Sequence, residues 1–344
     1  MMIEPIRTAA DWRGDEMSRR TDWIHELGRD EIDEIERALA SVKARGIDIA
    51  DIDRGNFPLS LFPRVAGRAL EFLEDGPGLF HIRGLPALAH TAEDMRLVYW
   101  GLGKYLGTAV SQSRKGDVLG DVRDLDINNT GLGRGYQSRK AQEFHTDSCD
   151  VVGLLIHRTA KTGGLSKIVS SVAVHNRMLA ERPDLLETLY QPFRLYTPDF
   201  GPDWWEQPML SVHEGHFSCK TVGLYAILAQ RQFPDIPRLT PAQQEAMELF
   251  RVIANRPGMH FTMMFKPGDL QLLNNHVTLH GRTGFEDFYE PDRRRHLFRL
   301  WLSVPNSRPL APLMANFYRD GRPGAVRGGY RSQSGRTVYE SLVQ

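Results

Sequence analysis

Residues 143–171 read EFHTDSCDVVGLLIHRTAKTGGLSKIVSS, and the interpretation of the whole chain starts from them. His145 and Asp147 form an H-x-D triplet, and alternate side chains of a β-strand point to the same face of a sheet. An imidazole and a carboxylate can therefore converge on one point, which supplies two ligands of the facial triad that holds non-haem Fe(II). The third ligand must be a histidine from elsewhere in the chain. The candidate is His280, within LLNNHVTLHGR at residues 272–282.

The residues that follow the triplet predict a rigid support. Residues 151–156 are an apolar run typical of a buried strand. The turn signal Gly163-Gly164-Leu165-Ser166 comes next, and residues 167–169 resume a strand. A ligand pair next to a strand-turn-strand unit is what a precise metal site requires.

Two other histidine patterns compete with this assignment. His276 lies four residues before His280 and could be the ligand instead, but Arg282, two residues after His280, favours His280. The sequence His213-Glu214-Gly215-His216 resembles a metal motif, but it lacks the H-E-x-x-H spacing that places both histidines on one helix face. We interpret it as a hairpin turn.

The composition limits the function classes. The chain has 344 residues, 41% hydrophobic and 25% charged, which are ordinary globular values. Lysine plus arginine equals aspartate plus glutamate, 43 each, so no basic excess indicates nucleic-acid binding. Two cysteines are too few for a disulfide framework. We expect a cytoplasmic protein with no secretory signal, no membrane span and a small-molecule substrate; the sequence leaves open whether it forms a homo-oligomer.

The pattern of elements predicts an α+β protein, mainly β, with a double-stranded β-helix (jelly roll) core and N-terminal and inserted helices. Apolar residues three or four apart predict helices at 29–46, 59–73 and 91–107, and Thr240-Pro241 begins another. We divide the single structural domain into a helical arm (1–78), the jelly-roll core (79–304) and an irregular tail (305–344).

The last predicted strand, RHLFRLWLSV at residues 295–304, carries two arginines. A guanidinium on an apolar strand is costly to bury without a partner, so we expect Arg299 to face an anion. That anion is either a structural carboxylate or the carboxylate of a bound acid.

In their order, these motifs resemble the taurine and 2,4-dichlorophenoxyacetate dioxygenase (TauD/TfdA) family of the clavaminate-synthase-like Fe(II)/2-oxoglutarate oxygenases. The resemblance covers residues 79–304: H-x-D, the Gly-Gly-x-Ser turn, G-D-L-x-x-x-N-N at 268–275, the distal histidine with Arg282 two residues on, and R-x-x-x-R. It implies a jelly roll in which His145, Asp147 and His280 bind Fe(II).

The resemblance also implies the co-substrate and the reaction. Arg299 would hold the distal carboxylate of 2-oxoglutarate with help from the hydroxyl of Ser166, and Arg295 would lie near the co-substrate. The activity implied is oxidation of a C–H bond by O2, most often hydroxylation, coupled to decarboxylation of 2-oxoglutarate. The primary substrate would be an amino acid, an organic acid or a natural-product intermediate.

The substrate side is the least determined part of the sequence. Candidates for substrate contacts lie just before the metal strand or beside the distal histidine: Asn128, Asn129, Tyr136, Gln142 and Arg282. Arg282 could instead pair with Glu286 or Asp287. The glycine-bearing loop at 128–135 is either a substrate lid or a solvated surface loop. Two alternative functions are a zinc-dependent hydrolase, which would use the same three ligands, and a non-catalytic metal-binding jelly roll.

Overall fold

The computed structural model describes residues 3–124 and 139–339. Within these residues the α-helices are α1 (Gly14–Met17), α2 (Arg29–Ala44), α3 (Phe62–Glu74), α4 (Ala92–Leu106), α5 (Ser171–Glu181), α6 (Pro183–Leu189), α7 (Gly223–Gln232), α8 (Pro241–Ala254) and α9 (Pro312–Tyr318). The strands are β1 (Ile24–Glu26), β2 (Leu79–Arg83), β3 (Thr108–Ala109), β4 (Leu119–Arg123), β5 (Gln142–His145), β6 (Val151–Arg158), β7 (Thr162–Gly163), β8 (Ser166–Ser170), β9 (Phe193–Leu195), β10 (Trp205–Gln207), β11 (Leu210–His213), β12 (His216–Cys219), β13 (His260–Met263), β14 (Leu270–Asn274), β15 (Thr278–Arg282), β16 (Phe285–Glu286) and β17 (His296–Ser303).

The bounds of the N-terminal helices follow from apolar spacing and capping residues in their sequences. In α2 the residues Ile35, Leu39 and Val42 form one buried stripe. The turn after it uses Gly46 at a φ of +61°, which glycine adopts without a steric cost. Helix α4 begins with a capping box in which Thr91 Oγ1 accepts from the amide of Asp94. The helices predicted at 29–46, 59–73 and 91–107 are thus confirmed to within a few residues.

The larger sheet of the described chain runs in the order β1-β2-β14-β6-β17-β3, and β4 also pairs with β17. Strands β6 and β17 lie at its centre in antiparallel register, with Arg299 opposite Leu154. The face of β17 that carries Phe298 and Leu300 packs in the same apolar cluster as α2, α3 and α4. The opposite face carries Arg299 and Trp301 toward the interior, because side chains alternate along a strand.

The smaller sheet runs in the order β13-β8-β15-β5. One cavity is lined by Leu154 and Arg299 from the larger sheet and by Ser166 and His280 from the smaller one. The two sheets therefore face each other around this cavity, which is the jelly-roll arrangement that the sequence predicts.

The segment between β8 and β13 carries helices and short hairpins outside the two sheets. His213 and His216 pair across the β11–β12 hairpin, and its turn residues Glu214 and Gly215 have φ values of +49° and +82°. The hairpin interpretation is confirmed. Helix α7 was not predicted, since its sequence GLYAILAQRQ shows no clear 3.6-residue apolar period.

We name residues 305–339 the C-terminal strap. The sequence predicted an irregular tail here, and the structure shows a segment with one short helix that packs against the core. The strap contains α9, and Phe317 and Tyr318 in this helix are fully buried. Arg327 is also among the largest fully buried side chains. The many glycines, arginines, serines and prolines predicted little regular structure, and the buried partners of this segment lie far away in sequence.

No helix in the described ranges is long and apolar enough to cross a membrane.

Candidate metal centre and co-substrate pocket

Three side chains meet at the open end of the smaller sheet. Strand β15 pairs with β5 so that His280 lies directly opposite His145. Each of His145, Asp147 and His280 offers one ligand atom, and these atoms lie within 4.8 Å of one another. The structure thus brings the predicted triad together. His276 is not part of it, because its Nε2 lies 2.9 Å from Asp150 Oδ1 in a separate buried ion pair.

Asp147 is buried but remains ionised. Burial alone would raise the pKa of its carboxyl, but the guanidinium of Arg299 beside it, followed by the two neighbouring imidazoles, outweighs that cost and lowers the pKa to about 2. Arg299 Nη1 lies 3.7 Å from Asp147 Oδ2, and Trp301 Nε1 donates to the same oxygen at 2.8 Å. The site therefore holds a carboxylate at neutral pH.

Each of the two histidines offers one ring nitrogen to a ligand. His145 Nδ1 donates to the carbonyl of Glu143 at 2.9 Å, which fixes the ring and leaves Nε2 for a ligand. Burial, followed by repulsion from His145, lowers the pKa of His280 to about 3. Its Nε2 lies 3.7 Å from Asp147 Oδ2. Two imidazoles and one carboxylate fit a divalent transition metal in donor type.

The backbone around Asp147 is held from several sides. Its amide donates to Asn275 Oδ1 at 2.9 Å, and its carbonyl accepts from Lys220 Nζ at 3.0 Å. Lys220 also donates to the carbonyl of Thr146 at 3.1 Å. Sequence reasoning missed both supporting side chains as well as Trp301. Asn275 belongs to the N-N motif and could have been found there, whereas Lys220 carries no local signal.

Arg299 lies at the metal end of the cavity. Gln112 fixes it in a two-way contact, in which Arg299 Nε donates to Gln112 Oε1 at 2.7 Å and Gln112 Nε2 donates to the carbonyl of Arg299 at 2.8 Å. Gly120 makes room for this pair, since a Cβ there would lie 2.8 Å from Gln112 Oε1. The guanidinium is thus aimed by a neutral amide and lies beside the Asp147 carboxylate.

Arg295 lies at the other end of the same cavity. It comes one residue before β17 begins, and four residues of extended chain span roughly 13 Å between it and Arg299. Arg295 is 5% exposed, and its Nη1 has no hydrogen-bond partner among the described residues. Burial, followed by repulsion from Arg282, lowers its pKa to about 9, so it stays charged at neutral pH. A buried cation with an unused donor, beside a cavity, is suited to an anionic ligand.

Ser166 and Gln142 also line this cavity. Ser166 Oγ donates to Gln271 Oε1 at 3.1 Å, so its hydroxyl would have to rotate to reach a ligand. Gln142 also borders a larger cleft that adjoins His145 and Asp147.

The remaining substrate candidates have different outcomes. Arg282 donates to the carbonyl of Lys140 at 2.6 Å, and its guanidinium lies 4.6 Å from the centre of the Phe285 ring. Asp287, one of its expected partners, accepts from the backbone amide of Arg295 at 2.8 Å. Asn128, Asn129, Tyr136 and the glycine-bearing loop lie outside the described residues.

The donor set and the cavity together indicate a class of enzyme. A facial arrangement of two histidines and one aspartate in a jelly roll, beside a cavity with arginines at both ends, is typical of mononuclear Fe(II) oxygenases that use a dicarboxylate co-substrate.

Comparison with known proteins identifies the family. The model of the taurine catabolism dioxygenase TauD, TfdA family matches residues 48–301. FR-33289 synthase of Streptomyces rubellomurinus is 30% identical over 341 residues, covering 95% of this chain and 98% of that protein. The taurine hydroxylase-like protein SAT17 of Stachybotrys chartarum is 26% identical over 309 residues, covering 84% of this chain and 77% of that protein. The chain belongs to the TauD/TfdA family.

Solved structures show the same fold. Asparagine oxygenase, in complex with Fe(II), 2S,3S-3-hydroxyasparagine and succinate, superposes with a TM-score of 0.64 at 19% identity, over 81% of this chain and 93% of that one. The non-haem iron oxygenase OrfP, with Fe, succinate and (3S)-hydroxy-L-Arg, gives a TM-score of 0.60 at 15% identity, over 81% and 93%.

The family assignment resolves the alternatives for the activity. The chain is an Fe(II)- and 2-oxoglutarate-dependent dioxygenase that oxidises a small organic molecule. The zinc hydrolase and the non-catalytic metal-binding protein are not favoured.

Proposed function

We propose that His145, Asp147 and His280 hold the Fe(II), and that the cavity behind them binds 2-oxoglutarate for hydroxylation of a small molecule. The observation that supports this most directly is the convergence of the three ligand atoms within 4.8 Å at one end of a cavity with a buried arginine at the other. Bound iron would supply the activation of O2 and the oxidation of a C–H bond.

The protein's own side chains give the co-substrate one orientation. Arg295, with its unused Nη1, would bind the distal carboxylate, and the Ser166 hydroxyl would rotate from Gln271 to donate to it. Arg299 is already beside Asp147, so it would face the keto-acid end instead. This is the reverse of the division expected from the sequence, in which Arg299 took the distal carboxylate.

The substrate would approach through the larger cleft, of about 950 Å³, which borders His145 and Asp147 and lies against α7 and α8. Leu224 and Ile227 of α7 line it, although they are 67% and 46% exposed. Gln142, between the cleft and the co-substrate cavity, would contact the substrate. An apolar portion of the substrate would rest against α7.

The test starts without oxygen. Fe(II) and 2-oxoglutarate are titrated into the apo-protein, and the visible charge-transfer absorption of the iron chelate is recorded. We expect the band to appear, to be lost in His280→Ala and to be unchanged in His213→Ala, a control in the surface hairpin. Admission of O2 should then release succinate. Tight zinc binding without any succinate release would contradict the proposal.

The substrate side has its own test. Small amino acids, organic acids and natural-product intermediates are screened for compounds that accelerate succinate release. For such a compound we expect Leu224→Asp to raise the KM without changing the slow succinate release seen in its absence. An unchanged KM would exclude the α7 wall from the substrate site.

We also propose a cytoplasmic location, because Cys149 and Cys219 are buried free thiols, as in proteins of reducing compartments. Fractionation of cells that express the chain tests this.

A further inference from the structure

One oxygen of the proposed metal carboxylate is already engaged. Trp301 Nε1 donates to Asp147 Oδ2 at 2.8 Å, and both side chains are buried. The other oxygen, Oδ1, is the one nearest His145, at 3.9 Å from Nε2. A carboxylate that binds a metal through both oxygens occupies one more coordination position than a carboxylate that binds through a single oxygen. A donor fixed on Oδ2 therefore favours binding through Oδ1 alone and keeps a position open.

The Trp301 ring is itself held in place on two sides. The guanidinium carbon of Arg299 lies 5.1 Å from the centre of the indole ring. The ring of Tyr330 packs on it from the C-terminal strap, with ring centroids 5.7 Å apart. Since the family model ends at residue 301, Tyr330 lies outside the part of the chain that this model describes.

The strap is tied to the segment that carries Asp147. The amide of Gly329 donates to the carbonyl of Ser148 at 2.6 Å, and the Tyr330 hydroxyl lies 3.4 Å from Ser148 Oγ. Arg327, fully buried, donates through Nε to Asp150 Oδ1 at 2.9 Å. These contacts fall at positions 148 and 150, directly after the metal carboxylate.

We infer that Trp301, held by Tyr330 of the C-terminal strap, is a positioning residue that orients Asp147 for metal binding through one oxygen. The inference rests on the proposed metal site. It gives the C-terminal strap, which lies beyond the residues matched by the family model, a role in positioning the metal ligand.

The test compares two tryptophans of similar burial. Trp301→Phe keeps an aromatic ring but removes the donor on Asp147. Trp100→Phe is the matched control, because Trp100 is 6% exposed and its Nε1 has no hydrogen-bond partner among the described residues. Thermal unfolding of each apo-protein verifies folding, and anaerobic Fe(II) titration gives the metal affinity.

We expect Trp301→Phe to weaken Fe(II) binding roughly 10- to 100-fold, the usual effect of losing a group that orients a metal ligand. Trp100→Phe should bind as the parent does. Tyr330→Leu, which removes the ring over Trp301, should weaken binding in the same direction. Affinity in Trp301→Phe within twofold of the parent would overturn the inference.

The two proposals fail in different ways. If His280→Ala binds Fe(II) as well as the parent, the metal site itself is misassigned. If His280→Ala loses the metal but Trp301→Phe does not, only the role of Trp301 falls.

A second measurement needs no variant to fold. In the parent protein labelled with 15N, the chain's six tryptophans each give an indole N–H signal. Saturation with Zn(II), a diamagnetic substitute, should shift the signal of the indole bonded to Asp147 strongly. If no indole signal moves while zinc binds, the inference is wrong.

Discussion

Replacement of Arg295 by methionine should stabilise the apo-protein and, at the same time, abolish tight 2-oxoglutarate binding. The guanidinium is buried and carries an unused donor. Burial, followed by repulsion from Arg282, lowers its pKa from 12.5 to about 9, so the apo-protein supports the charge poorly. At about 1.4 kcal/mol for each pKa unit, this is roughly 5 kcal/mol as an upper bound. Methionine fills a similar volume but loses the contact with Phe285, so we expect a net gain of about 1–3 kcal/mol.

The two effects are measured separately. Urea unfolding of the apo-protein gives the free energy of unfolding, and calorimetry with Mn(II) present gives the affinity for 2-oxoglutarate. Loss of one partner of a buried charged pair costs roughly 2–5 kcal/mol, so the affinity should decrease at least 30-fold. Arg293→Met, at a half-exposed arginine, is the control and should change neither quantity. An apo-protein that becomes less stable in Arg295→Met would refute the reasoning, because it would show that the cation is already satisfied without its ligand.

Other changes have equally specific outcomes. Gly120→Ala places a Cβ 2.8 Å from Gln112 Oε1. It should raise the KM for 2-oxoglutarate and lower the free energy of unfolding by about 1–3 kcal/mol. An unchanged KM would show that Gln112 does not aim Arg299. Lys220→Met leaves the carbonyl of Asp147 without its donor, so the free energy of unfolding measured in urea should fall by about 2–4 kcal/mol. No loss would show that water replaces the ammonium. His157 has a pKa that burial lowers to about 4, so the unfolded chain takes up a proton below pH 6.5 and the native state does not. The free energy of unfolding should therefore fall by up to about 3 kcal/mol from pH 6.5 to 4, and His157→Gln should flatten that slope; an identical slope would contradict the assignment.

The convergence of His145, Asp147 and His280 could be predicted because part of its information is local. His145 is the last residue of β5 and Asp147 follows two residues later, so the strand period was enough to suggest that both side chains reach one point. His280 was chosen by its neighbours in the motif, and the register of β15 with β5 then places it opposite His145. The buried strands β6 and β17 were visible for a similar reason, since they are continuous apolar runs.

The parts that could not be predicted depend on contacts between distant residues. Trp301 in an apolar strand is indistinguishable from an ordinary core residue until its Nε1 is seen to face Asp147. The roles proposed for the two arginines also need the fold, because R-x-x-x-R gives their spacing but not which of them lies beside Asp147. Helix α7 shows no clear apolar period, and its apolar residues Leu224 and Ile227 line a cleft where they stay largely exposed.

The salt bridge between Arg327 and Asp150 has a consequence for the order in which the protein is made. Its partners are 177 residues apart, and Arg327 is translated after every strand of both sheets. At ordinary rates of synthesis, Asp150 waits roughly 10 to 35 seconds for its partner. During that interval the segment next to Asp147 lacks the strap. A released chain that ends at residue 310 keeps all three proposed ligands but lacks most of the strap, so we expect it to bind Fe(II) more weakly than the full-length protein.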